Sequence, residues 1–274
     1  MFPARFCSWV VSPIRCGRKS RRLAASKMIM RFICENGIAH SSVLLVVCLG
    51  LSALAVTGAG QADSADKSRD TDRTGNTAVT DIDGNVYRTV TIGSQVWIAE
   101  NLKVTRYRDS SVIPFVVDDS IWSGLKSGAY CWGSEDSASY KATYGALYNF
   151  YAVNDSCGLC PKGWHVPSEA EWLTMEAYLG SPEVAGGKAK ESGTVHWNSP
   201  NVGATNESGL AGLPAGGRGR FGGPGEVGNY ATWWSSTVHD SVHAWHWGLY
   251  TGNAKARSNP GHKASGFSIR CVRD

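Results

Sequence analysis

Four cysteines follow residue 62, and they could form a redox pair, bind a metal ion or form disulfides: Cys131, Cys157, Cys160 and Cys271. Cys157 and Cys160 form a Cys-x-x-Cys arrangement, which acts as a redox pair when it lies at a strand-to-helix junction in a βαβ unit. Here the pair lies in a loop instead. Zinc binding would add His165 to the pair, but a second ligand pair at a standard spacing is missing. Disulfides are the remaining possibility, and four cysteines allow three pairings.

The densest group of aromatic and imidazole side chains lies near the C-terminus and comprises Trp233, Trp234, Trp245, Trp247, His239, His243 and His246. On a strand, Trp245 and Trp247 would share one face, and a tryptophan-rich face can stack on sugar rings. The alternative is core packing, in which large rings fill the gaps of a glycine-rich fold. Rigid aromatic side chains beside adaptable Gly-, Asn- and Ser-rich loops are typical of binding surfaces. We therefore hypothesise a shallow ligand site that contains Trp245 or Trp247 together with Arg218 or Arg220.

Two other motifs look chemical but have structural explanations. The glycine-rich run at residues 215–225 superficially suggests a phosphate loop, yet it lacks the Gly-Lys-Ser/Thr ending and a following helix. Glu169 and Glu171 could suggest paired catalytic carboxylates. However, residues two apart point to different sides of a helix, and both glutamates suit the positive end of a helix dipole. The sequence therefore predicts no catalytic residue, no cofactor and no metal.

Strand patterns occur at both ends of the folded region. Residues 86–92 and 95–99 are rich in β-branched and aromatic side chains and flank a Gly-Ser pair, which predicts a β-hairpin. Near the C-terminus, residues 231–237, 242–250 and 266–273 also have the composition of strands, and the last of these alternates apolar with polar residues.

Two helices are predicted between these strands. Residues 144–153 carry aromatic and aliphatic side chains at helical spacing. Ser168, with Glu171 three residues later, predicts a second helix that begins with a capping box and stops at residues 180–182. Residues 186–228 are rich in Gly and Asn and are predicted to be mostly loop. The predicted order is a β-hairpin, then two helices, then C-terminal strands. This order predicts an α+β fold, because βαβ repeats are missing.

Residues 1–62 have the layout of an export signal. Residues 43–59 form an uncharged apolar run that follows basic residues and precedes small ones, as in a secretory signal peptide. We expect cleavage after Ala62, and Met28 is an alternative start because the stretch before it is unusually long for a signal. The alternative to cleavage is a retained membrane anchor, although the run is short for spanning a bilayer. Both alternatives place the rest of the chain outside the cytoplasm, where disulfides are the default state of cysteines.

The remaining chain is a polar spacer followed by one domain. Residues 63–80 have almost no apolar side chains and predict a disordered spacer before a folded domain at 81–274. Eight of the 27 basic residues but only one of the 23 acidic residues lie in 1–62, so the rest carries 19 basic against 22 acidic groups. Such a mildly acidic body lacks the positive surface of a nucleic-acid-binding protein. Membrane contact is expected only through a retained anchor.

Five segments together resemble the Fibrobacter succinogenes major paralogous domain family. They occur in the expected order and lie at residues 81–87, 95–102, 144–149, 160–172 and 266–272. Members of that family are exported bacterial proteins to which no reaction is assigned. The resemblance therefore implies an exported protein of the cell envelope and implies no substrate.

A wider resemblance is to the C-type-lectin-like fold, whose branches include the formylglycine-generating and sulfatase-modifying enzymes. Residues 166–172, Val-Pro-Ser-Glu-Ala-Glu-Trp, are similar to a helix start of that branch. The resemblance implies paired terminal strands, two helices beside them and a long irregular loop region. It also implies a disulfide between Cys160 and Cys271, which leaves Cys131 to pair with Cys157. The calcium-binding carboxylates of sugar-binding lectins are missing from this sequence.

Two classes of function follow. The first is a non-enzymatic exported module that binds an extracellular glycan or protein, or that serves as a structural component of the cell envelope. The second is an enzyme that resembles the sulfatase-modifying branch, which needs reactive thiols in its C-terminal region, where this chain has only Cys271. Free thiols and a closed polar pocket would favour the enzyme, whereas oxidised cysteines and an exposed aromatic face would favour binding.

Overall fold

Short strands dominate the fold, with five helices between them in the residues that the structure, a computed structural model, describes: 70–71, 77–133 and 137–274. The predicted signal at 1–62 lies outside them. The helices are α1 Asp119–Gly124, α2 Ser137–Tyr144, α3 Phe150–Val153, α4 Glu169–Tyr178 and α5 Pro182–Ala189. The strands are β1 Asp70–Thr71, β2 Thr77–Thr80, β3 Val86–Ile92, β4 Gln95–Ile98, β5 Tyr130–Cys131, β6 Leu147–Asn149, β7 Trp164–His165, β8 Arg218–Gly219, β9 Gly222–Pro224, β10 Tyr230–Val238, β11 His243–Tyr250, β12 Ala256–His262, β13 Gly266–Phe267 and β14 Val272–Arg273. Helices beside antiparallel sheets confirm the predicted α+β class.

The predicted β-hairpin is the centre of a six-stranded antiparallel sheet with the order β1-β2-β3-β4-β14-β7. Gly93 has a φ of 60° at its turn, a conformation that glycine adopts without steric cost. The C-terminal strand β14 pairs with β4, so that Val272 lies opposite Trp97. The two ends of the domain are thereby joined in one sheet.

Part of the predicted disordered spacer is a strand. Thr77–Thr80 forms β2 and pairs with β3, and Ala78, which lies opposite Arg88, is buried. The prediction of disorder was wrong for these residues because the strand has only four residues, of which two are apolar. So short a pattern cannot be distinguished from a polar segment. The pairing with a strong neighbouring strand supplies the order that the local sequence lacks.

The turn at residues 81–87 is held together by one carboxylate. Asp81 Oδ1 accepts hydrogen bonds from the backbone N–H groups of Asp83 and Asn85, both at 2.9 Å. Asp81 Oδ2 accepts from the Asn85 side chain at 2.8 Å and from the Tyr87 hydroxyl at 2.6 Å. Both oxygens of Asp81 are therefore engaged within the protein, and this acidic motif is a structural turn.

The prediction of a helix over residues 144–153 is wrong for most of that range. Gly145 has a φ of 75°, which ends α2 just after Tyr144. Leu147–Asn149 then forms β6, so within the predicted range only Tyr144, the last residue of α2, and Phe150–Val153 are helical. The Asn149 side chain caps this short helix by accepting from Ala152 N at 3.0 Å. Pairing of β6 with β5 and β13 overrides the helical spacing of its apolar residues.

The second predicted helix is confirmed. Ser168 and Glu171 form the capping box at the start of α4, and α5 follows after Gly180 with Pro182 in its first turn. Trp172 projects from α4 into a core of indole rings, where its centroid lies 4.7 Å from that of Trp97. The longest described helix has ten residues, and no helix of the described residues has the length and apolar character needed to cross a bilayer.

The C-terminal third contributes to all three sheets. Two of its predicted strands are confirmed as β10 and β11, which form a three-stranded antiparallel sheet with β12. Strand β12 was missed because it contains Pro260 and Gly261, and it is the outer strand of this sheet, a position that tolerates proline. The predicted strand at 266–273 is two strands, since β13 joins the five-stranded sheet β5-β6-β13-β8-β9 and β14 joins the six-stranded one.

Candidate functional site

A cavity of about 550 Å³ lies where the five-stranded sheet meets the segment around the start of α1. A volume of this size falls in the range that holds small ligands. The lining residues come from four separate parts of the sequence: Val117, Asp119, Cys131, Trp132, Gly133, Leu147, Gly217, Arg218, Gly223, Gly225 and Val227. One of them, Arg218, belongs to the ligand site hypothesised from the sequence.

Arg218 is a buried side chain that builds the wall of this cavity. Its guanidinium donates to the carbonyl oxygens of Val116 at 2.7 Å and Val117 at 2.6 Å, and to the Asp119 carboxylate. It also lies over the Trp122 ring, at 4.4 Å from the ring centroid. Because these partners use both terminal nitrogens, Arg218 positions the segment before α1 and has little capacity left for a ligand.

Asp119 carries the acidic group of the cavity. Its side chain is 54% exposed although it pairs with Arg218, so part of the carboxylate faces solvent. The hydrogen bond from Arg218, followed by one from the Gly223 backbone, lowers the pKa of Asp119, which stays ionised. A Cβ added at Gly222 would lie 2.0 Å from Asp119, so the glycine at this turn is what allows strand β9 to approach the carboxylate.

Trp132 belongs to the cavity lining, and its ring packs on the Tyr130 face of β5, the face opposite to that of Cys131. Its half-buried ring packs edge-on against Tyr130, with centroids 5.2 Å apart, and lies 6.3 Å from the ring of Phe115. The ammonium of Lys141 lies 5.3 Å from its centroid. Phe115 is itself 49% exposed, so aromatic surface continues from the cavity to solvent.

Cys131 lies in the lining of the cavity as a thiol, and the predicted disulfide between Cys131 and Cys157 is wrong. The reason is the alternation of side chains along β5. Tyr130 faces one core, against which Cys157 packs, whereas Cys131 faces the separate cluster formed with Trp122 and Leu147. Burial raises the pKa of the Cys131 thiol, so the protonated form is favoured.

The other predicted disulfide is confirmed. Cys160 and Cys271 are bonded, with Cα atoms 6.0 Å apart and a sequence separation of 111 residues. The bond joins the loop before β7 to the segment that leads into β14. Since Cys160 is oxidised with this distant partner, Cys157 and Cys160 do not form a redox pair in the structure.

The other three residues of the hypothesised site lie in different environments. Trp247 is fully buried and stacks on Trp172 at 4.9 Å with an interplanar angle of 11°, so it belongs to the core. Trp245 is half-buried, with its ring 4.9 Å from that of His239. Arg220 is exposed and lies over the ring of Phe221 at 4.1 Å. Each residue has its own protein partner, and none of the three lines the cavity beside Arg218.

Sequence reasoning did not single out Asp119 or Trp132 as site residues. A local signal for Asp119 exists, because Asp118 is the N-cap of α1 and accepts from Ile121 N at 2.9 Å. That signal predicts where α1 begins, but it does not indicate that the next residue, Asp119, lines a cavity. The contact between Arg218 and Val116 spans 102 residues of sequence, and only the fold brings them together.

The comparisons with known proteins assign a family. No curated protein and no solved structure matches the chain. The model of the Fibrobacter succinogenes major domain matches residues 90–273, which is more than half of the chain. The match starts within β3 and ends in β14, so it includes all of the cavity residues. The chain belongs to the Fibrobacter succinogenes major domain family.

Proposed function

We propose that this chain is an exported, non-enzymatic binding module whose ligand is a glycan held in the cavity beside Arg218. The observation that carries the proposal is that Trp132 and the partly exposed Asp119 carboxylate both belong to the lining of one cavity of about 550 Å³. A sugar presents C–H groups to an aromatic ring and hydroxyl groups to a carboxylate, and this cavity offers both partners. The glycines of the lining add backbone groups without side-chain bulk.

The Arg218–Asp119 pair supports recognition of a neutral sugar. The guanidinium neutralises the carboxylate and holds it in place, so the exposed oxygen is a fixed hydrogen-bond acceptor. A fixed acceptor costs little side-chain entropy when a ligand hydroxyl binds. Because the two charges of the pair offset each other, this wall of the cavity favours neither an anionic nor a cationic ligand.

A lectin-like fold is part of the proposal. The C-terminal strand β14 pairs with the N-terminal hairpin, α4 and α5 lie in the middle of the chain, and the Cys160–Cys271 disulfide ties the last strand to the segment before α4. Residues 190–217, between α5 and β8, contain no helix and no named strand. These features support the fold that the resemblance implies.

The non-enzymatic part of the proposal is supported by the state of Cys131. An enzyme related to the sulfatase-modifying branch needs reactive thiols in its C-terminal region, where this chain has only Cys271, and Cys271 is bonded to Cys160. A reactive thiol elsewhere in the chain would have a lowered pKa. Cys131 is 2% exposed and its pKa is raised by burial. Export is supported by the apolar run at 43–59 and is tested by finding the chain outside the cytoplasm with a new N-terminus at Asp63.

A glycan array followed by calorimetry with the sugars that bind tests the ligand. Trp132→Ala should weaken binding at least tenfold, because the ring is the apolar partner of the sugar. Trp245→Ala is the matched control, since Trp245 is also a half-buried indole but does not line the cavity. Loss of binding in Trp245→Ala with retention in Trp132→Ala would contradict the cavity as the site, and an array without any bound glycan would contradict the ligand class.

A further inference from the structure

The turn between β10 and β11 brings together three side chains that can ligate a metal ion. His239, Asp240 and His243 each offer one ligand atom, and these atoms all lie within 4.8 Å of one another. His239 and Asp240 are exposed and His243 is half-buried, so the group is accessible from solvent. The three residues lie outside the cavity lining, so this cluster is independent of the proposed glycan site.

The distances within the cluster suit ligation. Asp240 Oδ2 lies 3.0 Å from Nδ1 of His239 and 3.0 Å from Nδ1 of His243. Ligand atoms about 2.0–2.2 Å from a zinc ion, at angles between a right angle and the tetrahedral angle, are roughly 2.9–3.5 Å apart. The two nitrogen–oxygen separations already fall in this range. The separation of the two imidazole nitrogens is at most 4.8 Å, and the exposed His239 side chain can rotate to shorten it.

The turn that carries the ligands is braced by its own hydrogen bonds. Asp240 Oδ1 accepts from the backbone N–H groups of Val242 and His243, both at 2.7 Å. The Lys263 ammonium donates to the Asp240 carbonyl oxygen at 2.7 Å and to the Ser241 carbonyl oxygen at 3.2 Å. Oδ1 therefore holds the backbone and also lies 3.1 Å from His243 Nδ1, and Oδ2 faces both imidazoles. Such support of a ligand by neighbouring groups is a property of metal sites.

The ligand set indicates the kind of metal. Two imidazole nitrogens and one carboxylate oxygen suit zinc, cobalt, nickel or copper, whereas calcium takes six to eight oxygen ligands. Three protein ligands leave at least one coordination position for water or another molecule. We propose that His239, Asp240 and His243 form a binding site for one divalent transition-metal ion at the β10–β11 turn.

Binding moves protons in a defined way. In the metal-free turn, the Nδ1 atoms that face Asp240 can carry the protons of these hydrogen bonds. Coordination requires the lone pair of each Nδ1, so each neutral imidazole places its single proton on Nε2 instead. The carboxylate keeps its negative charge and offsets part of the charge of the ion. No redox change is needed.

Calorimetric titration of the full chain with ZnCl₂, and absorption spectra with CoCl₂, test the site. Cysteines and histidines elsewhere in the chain can also bind zinc. The site is therefore identified by the difference in bound zinc between the wild type and the variants. We expect one equivalent of bound zinc to be lost in His239→Ala and in His243→Ala, and affinity to fall at least tenfold in Asp240→Asn. The cobalt absorption bands of the same equivalent should disappear in both histidine variants.

His196→Ala is the matched control, because His196 also pairs with a carboxylate, that of Glu191 at 2.8 Å, but lies outside the cluster. It should keep the full zinc stoichiometry. The His239 side chain is exposed, so His239→Asn is a second variant that should fold and still lose the equivalent. A wild type without bound zinc, or zinc stoichiometry that is the same in wild type and both histidine variants, would overturn the proposal.

Discussion

The side-chain oxygen of Asn101 accepts hydrogen bonds from both Arg270 Nε and Trp233 Nε1, each at 2.8 Å, in the interior of the domain. Arg270 is 1% exposed, and its two terminal nitrogens donate to the carbonyl oxygens of Ile98 at the end of β4 and of Leu210 and Ala211 in a loop. No carboxylate forms an ion pair with it in the described part of the chain. A buried cation is thus held by neutral oxygens, and Asn101 is the side chain that orients it.

Replacement of Asn101 should be among the most destabilising changes in the chain. Asn101→Ala leaves the Arg270 and Trp233 donors without their acceptor and removes the donation from Asn101 Nδ2 to the Tyr144 carbonyl oxygen at 2.8 Å. We expect a loss of about 3–5 kcal/mol in the free energy of unfolding, measured by urea denaturation.

A double variant separates orientation of the cation from simple loss of packing. Arg270→Met removes the buried charge, so adding Asn101→Ala to it should cost less than adding Asn101→Ala to the wild type. The two changes should therefore be non-additive by at least about 1 kcal/mol. Additive effects would contradict the role of Asn101 as the partner of Arg270.

The Cys160–Cys271 disulfide should contribute strongly to stability. The two cysteines are 111 residues apart, and a loop of that length corresponds to about 4–5 kcal/mol on the chain-entropy model. Cys160→Ala with Cys271→Ala should lower the free energy of unfolding by an amount of this order. Dithiothreitol should destabilise the wild type and leave the double variant unchanged. Equal sensitivity of both proteins to the reductant would contradict this assignment.

The state of the other two cysteines can be read by alkylation and peptide mapping. We expect Cys157, which is half-buried, to be modified in the folded protein, and Cys131, which is 2% exposed with a raised pKa, to be modified only after unfolding. A peptide that joins Cys131 to Cys157 would restore the pairing implied by the resemblance and contradict the structure.

Local chemistry accounts for the parts of the fold that the sequence predicted. The Ser168–Glu171 capping box and the hairpin turn at Gly93 are determined by residues close together in the chain, and both are present. Residues Leu147–Asn149 show the opposite case. Their spacing suits a helix, yet pairing with two distant strands makes them β6.

The candidate site was less predictable than the fold. Arg218 was selected from sequence as a possible ligand residue, but its acceptors lie about a hundred positions away and cannot be seen in a pattern of spacing. Trp245 and Trp247 alternate correctly for one strand face. Only packing against Trp172 decides that Trp247 is core.

Acid should destabilise the domain through His246. Burial lowers the pKa of His246 from its ordinary value near 6.5 to about 4. Between these values the unfolded chain takes up a proton that the folded chain resists, so stability falls as pH decreases from 6.5 to 4. At pH 4.5 the loss from this group should be about 2–3 kcal/mol relative to pH 7.

His246→Phe isolates this contribution, because its ring would remain beside Phe267, whose centroid lies 4.8 Å from that of His246. The free energy of unfolding of the variant should depend less on pH between 7 and 4.5 than that of the wild type. His165 responds in the opposite direction, because burial, which lowers its pKa, is outweighed by its hydrogen bonds to the Asp274 and Glu171 carboxylates, and the pKa is raised. Both proteins contain His165, so its contribution cancels when the variant is compared with the wild type. Identical pH dependence of the two proteins would contradict the role of His246.

The last prediction contrasts the two tryptophans of β11. Trp247→Ala should cost about 3–5 kcal/mol, because its ring is fully buried on Trp172 and its Nε1 donates to Glu176 Oε2 at 3.0 Å. The change also leaves the buried Glu176 carboxylate without this donor. Trp245→Ala removes a half-buried ring that packs against His239. The loss in the free energy of unfolding should therefore stay below about 2 kcal/mol. Urea denaturation of the two variants under identical conditions measures both values. Similar costs for the two variants would contradict the assignment of Trp247 to the core and of Trp245 to the surface.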